Sequence, residues 1–173
     1  MIGKLWIIVA AALLLPTASG FAGEQGFDRT LELLGIRFHI TCANAGSLNT
    51  LQIVPAGLEI DNTPIREEID GTVSGAEVAD LNDDGSPELY VYVTSAGSGS
   101  YGSLVAYAAN RKKSLSTIYL PPIPEDSALA KGYMGHDHFA VEAGRLIRSF
   151  PLYRATDSNA APGGGHRGEA ALL

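Results

Sequence analysis

After Gly35 the chain breaks into short apolar runs rich in aromatic and β-branched residues, each closed by turn-formers. Leu89-Tyr90-Val91-Tyr92-Val93 and Ser103-Leu104-Val105-Ala106-Tyr107-Ala108 are the plainest runs. The pattern predicts strands near 36–43, 50–54, 72–79, 88–95, 103–109, 115–120, 137–143 and 145–153. Between them stand Asn44-Ala45-Gly46, Pro55-Ala56-Gly57, Asp61-Asn62-Thr63-Pro64, Asn82 to Pro87 and Pro121-Pro122, all of turn-forming composition. The last two strands read as a hairpin: Phe139 and Val141 approach a turn at Glu142-Ala143-Gly144, and Leu146, Arg148 and Phe150 leave it. Residues 24–34 fit a short helix or a leading strand equally well. About eight closely spaced strands without a convincing helix predict an all-β fold, an antiparallel β-sandwich or barrel.

The two ends differ from this body. Lys4 followed by the apolar run Leu5 to Leu15, with small residues at Ala18, Ser19, Gly20, Ala22 and Gly23, reads as a secretory signal over residues 1–22. Pro16 interrupts the run short of the ~20 apolar residues that a spanning helix needs, so no membrane association is expected once the signal is removed. Residues 23–156 then form one domain with room for a core, and 157–173, with Ala160-Ala161-Pro162-Gly163-Gly164-Gly165, are expected to be a flexible tail. Behind the signal 11 basic residues face 19 acidic ones, a balance of −8 that argues against nucleic acid as a partner and suits a basic protein. Cys42 is the single cysteine, so no intrachain disulfide can form and the thiol is expected to pack as a small apolar group.

Candidate chemistry concentrates in two loops. Thr94 to Gly102 places one aromatic, Tyr101, in a glycine and serine turn between two strands, the arrangement of a presented interface anchor. Its Gly97-Ser98-Gly99-Ser100-Tyr101-Gly102 matches the dinucleotide pattern G-x-G-x-x-G, but a strand rather than a helix follows, and no acidic residue stands about 20 positions on. A G-x-S-x-G nucleophile elbow fails too, because Ser98 replaces the first glycine and no histidine is placed beside Ser100. No catalytic residue is assigned, and the chain is read as a binding protein rather than an enzyme.

Asp80-Leu81-Asn82-Asp83-Asp84-Gly85-Ser86-Pro87-Glu88 carries oxygen ligands at the first, third, fifth and ninth positions and glycine at the sixth, like the front of a calcium loop. Val91 stands where an EF-hand needs a bidentate glutamate, which excludes that motif. Asp80, Asn82, Asp84 and Glu88 remain a calcium candidate beside the plainer reading of an acidic turn whose side chains bond their own backbone. No other cofactor is called for. His136-Asp137-His138 would put two imidazoles on one strand face, too few ligands for zinc, and Arg111-Lys112-Lys113 reads as a solvated turn.

Ser98-Gly99-Ser100-Tyr101 also spells S-G-x-Y, the signature of bacterial periplasmic lysozyme inhibitors. Residues 78–122, with Val78-Ala79-Asp80-Leu81-Asn82, the 95–102 loop, Arg111 to Leu115 and Ile118-Tyr119-Leu120-Pro121-Pro122, resemble the inhibitors of invertebrate-type lysozyme, as does the hairpin leading to Ser149-Phe150-Pro151-Leu152-Tyr153. The resemblance implies a periplasmic β-sandwich that inserts this loop into the active-site cleft of an invertebrate-type lysozyme. Ser98 and Tyr101 would make the leading contacts, and Gly99 and Ser100 would shape the loop. Such a sandwich is expected to continue past Phe150-Pro151 into another strand. If none follows, a second chain, in a homodimer, is one way to cover that edge.

Overall fold

A computed structural model describes residues 26–170, without the side chains of Glu169 and Ala170, so the expected signal over 1–22 lies outside the described residues. Among the described residues every strand pairing is antiparallel and no helix forms, as the sequence pattern predicts. There are more strands than the eight expected. The chain runs β1 (Phe27–Leu33), β2 (Ile36–Cys42), β3 (Leu48–Ala56), β4 (Ile65–Asp70), β5 (Thr72–Ala79), β6 (Glu88–Thr94), β7 (Gly102–Asn110), β8 (Ser114–Ile118), β9 (His138–Glu142), β10 (Arg145–Pro151) and β11 (His166–Ala170). The ambiguous segment before Gly35 is thus strand β1, closed onto β2 by a two-residue turn at Leu34 and Gly35.

Strands β1 to β4 form one meander, β5 to β8 a second, and β9 to β11 a three-stranded third sheet ordered β11-β10-β9. The first two sheets make the sandwich. Alternation explains its core: Ile36, Phe38, Ile40 and Cys42 on β2 and Leu51 and Ile53 on β3 face Val73, Leu89, Val91, Val93 and Tyr107 across the interface. Cys42 is buried there as the expected small apolar group.

Strand β6 is buried over six consecutive residues, Glu88 to Val93. A strand with one wet face would alternate, so continuous burial requires cover on both sides. The third sheet supplies it: Tyr90, Tyr92 and Ala106, on the far face of the second sheet, pack against Phe139 and Leu146. Glu77 joins the two layers, accepting the Tyr92 hydroxyl at 2.5 Å and the Val141 amide at 2.8 Å through one oxygen.

The C-terminal segment differs from the expected featureless tail. His166–Ala170 pairs with β10 over five residues, from Pro151↔His166 to Ile147↔Ala170. His166-Arg167-Gly168-Glu169-Ala170 holds no β-branched residue to signal a strand, and a ladder of backbone hydrogen bonds needs none. β11 covers the β10 edge, which removes the reason for expecting a second chain there.

Candidate functional site

The Ser98 to Tyr101 turn projects between β6 and β7, where the sequence places it. At its base the Ser95 amide donates to the Tyr101 carbonyl at 2.9 Å, and the Tyr101 amide donates to Ser95 Oγ at 3.0 Å. Within the turn the Ser100 amide donates to the Gly97 carbonyl at 2.9 Å, and Ser100 sits at a φ of 44°, a left-handed value uncommon outside glycine. Gly99 lies against the Tyr101 ring: a Cβ there would come within 2.3 Å of it, so the ring would have to move. Ser98 is exposed, and Tyr101 keeps 48% of its surface open. A rigid turn presenting an aromatic loses little conformational entropy on binding.

Much of that rigidity comes from residues 133–137, ahead of β9. The His136 amide donates to the Gly99 carbonyl at 2.8 Å, and a Cβ on Gly135 would come within 2.0 Å of the same oxygen. The Tyr101 ring stands edge-on to Tyr133, with centroids 5.6 Å apart. From the C-terminal segment, Asn159 Nδ2 donates to the Ser98 carbonyl. Behind these contacts Asp137, whose side chain is fully buried, accepts from Arg148 Nε at 2.7 Å, the Tyr133 hydroxyl at 2.7 Å and the Gly102 amide at 2.8 Å. Burial, with the Asp137 carboxylate alongside, pushes the Tyr133 hydroxyl above its ordinary pKa. The Arg148 guanidinium lies over the rings of Tyr133, Phe139 and Phe150.

Sequence reasoning missed this layer. The triplet His136-Asp137-His138 drew notice for its imidazoles, yet its buried member is the aspartate. His136 precedes β9 at a φ of 58°, so the alternation that would align the two imidazoles does not apply. His138 is exposed, while the His136 ring faces Tyr153 and its Nε2 is buried without a hydrogen-bond partner. His136 therefore meets the Ser100 region through its backbone and forms no nucleophile and base pair with it.

The acidic loop is compact. Carboxylate oxygens of Asp80, Asp84 and Glu88 converge within 4.8 Å of one another, but the side chains also bond local amides. Asp80 accepts from Asp84 and Gly85, Asn82 from Asp84, Asp84 from Ser86 and Glu88 from Leu81. Those are the bonds of a self-satisfied acidic turn. Burial first, opposed by the bond from Leu81, and then the nearby Asp80 and Asp84 charges raise the Glu88 pKa. The basic triplet forms the β7–β8 turn, and its carbonyls at Lys112 and Lys113 accept amides from residues 59–61.

Beside the presented loop runs a groove of about 500 Å³ whose walls include Tyr101, Leu104, Ile118, Tyr119 and Tyr133. The arrangement offers a contact surface of hydroxyls and aromatic edges. Comparison with known families bears on what it contacts: the model of the family described as periplasmic lysozyme inhibitor of I-type lysozyme matches residues 65–127. The chain is similar to that inhibitor family. The matched stretch holds the whole second sheet and the Ser98 to Tyr101 loop, and supports the resemblance read from the sequence. It stops before the hairpin at 137–153, to which that reading had extended the likeness. The family's description as periplasmic supports the expected location. No curated protein and no solved structure matches the chain.

Proposed function

We propose that this chain is an inhibitor of invertebrate-type lysozyme acting in the periplasm, and that it blocks the enzyme's cleft with Ser98-Gly99-Ser100-Tyr101. The observation that carries this reading is the position of the loop, braced by its own hydrogen bonds and with Tyr101 half-exposed, inside the stretch that matches the inhibitor family. A glycosidase cleft holds two catalytic carboxyl groups. The Ser98 hydroxyl can hydrogen-bond such groups without bringing in charge, and Tyr101 can fill a sugar subsite. Blocking requires no chemistry from the inhibitor. In the assay that tests this, the purified mature domain inhibits cell-wall lysis by an invertebrate-type lysozyme at micromolar concentration. Failure against a panel of such enzymes would rule the reading out.

A second reading, an exported binding module stabilised by calcium at the acidic loop, draws support from the convergence of Asp80, Asp84 and Glu88. Calcium takes six to eight oxygens, so Asn82, backbone carbonyls and water would have to complete the shell. Calorimetric titration separates the readings, because only the second expects calcium heat that Asp84→Ala removes.

A further inference from the structure

The presented loop is supported through one buried carboxylate. Asp137 Oδ2 receives both the Gly102 amide, at 2.8 Å, and the Tyr133 hydroxyl, at 2.7 Å, and Gly102 is the residue that follows Tyr101. The second oxygen, Oδ1, receives Arg148 Nε at 2.7 Å, and Arg148 also donates through a terminal nitrogen to the Tyr133 hydroxyl at 2.8 Å. Each of these groups is occupied by the others. The Tyr133 hydroxyl donates to the aspartate and accepts from the arginine, while its ring meets the Tyr101 ring. The loop's exit backbone and its aromatic side chain therefore share one fixed point, tied to the third sheet through Arg148 on β10.

The electrostatics suit a fixed point. The side chains of Asp137 and Arg148 are 0% and 8% exposed, so their charges compensate each other where water cannot. Three charge-assisted or carboxylate-directed bonds hold the aspartate in a single orientation. Left-handed backbone at Ser100 and His136, on the two segments in contact, shows that the packing holds conformations the chain would not choose alone.

We propose that Asp137, together with Tyr133 and Arg148, is the positioning group of the presented loop: it holds Ser98 to Tyr101 in the binding geometry before a partner arrives. In the language of affinity this is preorganisation, which lowers the ordering cost of binding without adding a contact. The proposal rests on the inhibitor reading only for its binding arm.

The test uses the mature chain with Asp137→Asn, which keeps the side chain's shape, and Tyr133→Phe, which keeps the ring beneath Tyr101 and removes the shared hydroxyl. Amide hydrogen exchange and ¹⁵N relaxation are read in the free protein, below the melting transition of each variant. In both variants Gly102 exchange should accelerate at least tenfold and order at 98–101 should fall, while the Val91 amide in β6 stays protected. Against an invertebrate-type lysozyme the inhibition constant of Asp137→Asn should rise tenfold or more. Added to Tyr101→Ala, the same change should cost much less, since the group it positions is gone; a merely structural role would give the same factor in both backgrounds. If Asp137→Asn does not fold, Tyr133→Phe carries the same measurements. Unchanged Gly102 exchange and loop order in a folded variant overturn the proposal, as does full additivity. A wild-type chain that inhibits no lysozyme, with Gly102 exchange accelerated in the variants, removes the inhibitor reading and leaves the positioning role standing.

Discussion

The ring of Tyr101 meets that of Tyr133 edge to face, with centroids 5.6 Å apart and planes at 74°. Tyr133 packs in turn against Phe150 at 4.7 Å, so the exposed aromatic is the outermost of three rings that run from the loop into the third sheet. Tyr101→Ala removes only the outermost ring. Inhibition should weaken by about 2 kcal/mol or more, roughly 30-fold, as expected for a central aromatic anchor. The melting temperature should move little, because about half of the side chain is already in water. An unchanged inhibition constant would take the loop out of the binding account.

Two glycines with left-handed backbone separate conformational cost from damage to the site. Gly135 has a φ of 88° and its added Cβ would meet the Gly99 carbonyl at 2.0 Å, whereas Gly144, with a φ of 73°, has open space around it. Gly144→Ala should cost about 1 kcal/mol of stability, the penalty of the backbone conformation alone, and leave inhibition intact. Gly135→Ala must also push the loop off its support, so it should destabilise by about 2 kcal/mol or more and weaken inhibition as well. Denaturant unfolding together with inhibition constants checks the pair. Equal behaviour of the two variants would mean that the contact at Gly99 is slack.

All eight strands expected from the sequence are present, because each carries aromatic or β-branched side chains, at least partly buried, whose preference for extended backbone is visible locally. The strands that escaped notice lack that signal. In β4 the sequence Ile65-Arg66-Glu67-Glu68-Ile69-Asp70 is dominated by charge, since the strand lies at a sheet edge and only one face meets the core. β11, His166-Arg167-Gly168-Glu169-Ala170, has no aromatic or β-branched residue apart from the imidazole and is held by its pairing to β10, which a local reading cannot reveal. The third layer had a trace in the sequence: Leu89-Tyr90-Val91-Tyr92-Val93 has no polar face, and a strand without one must be covered twice. At the site the loop was legible and its support was not. Asp137, Arg148 and Tyr133 come together from separate positions, and a charged pair in an apolar layer leaves no periodic mark.

Glu88 is raised above its reference pKa of 4.5, chiefly by burial and further by the Asp80 and Asp84 charges, so the native state binds this proton more tightly than the unfolded chain does. Its ionisation therefore works against the fold. The contribution is most favourable below pH 4.5 and is lost as pH rises through the native value. In calcium-free buffer at pH 7, Glu88→Gln should melt higher than the wild type, and the difference should vanish near pH 4. If calcium binds the loop, adding it should stabilise the wild type and reverse the order of the two proteins. Thermal melts at both pH values, with calcium and with a chelator, decide between the acidic turn and the metal site. A Glu88→Gln protein that melts lower in calcium-free buffer at pH 7 would contradict the burial argument.

The C-terminal strand makes the last prediction. β11 satisfies the β10 edge from Ile147 to Pro151, the Leu152 amide donates to the Gly165 carbonyl at 2.8 Å, and Arg167 reaches the Ala128 carbonyl at 2.6 Å. Ending the chain at Gly165 would remove the ladder and the arginine while keeping Asn159 beside Ser98. β10 would then present unpaired amides and carbonyls next to the buried Leu146 and Phe150, the kind of edge that recruits another strand. The shortened protein should self-associate at concentrations where the full chain stays at its own assembly state, and sedimentation velocity reads the difference directly. Inhibition measured at high dilution should change less, because the loop and its support through Asp137 remain. A shortened chain with unaltered sedimentation and an unaltered melting temperature would show that β11 is dispensable to the third sheet.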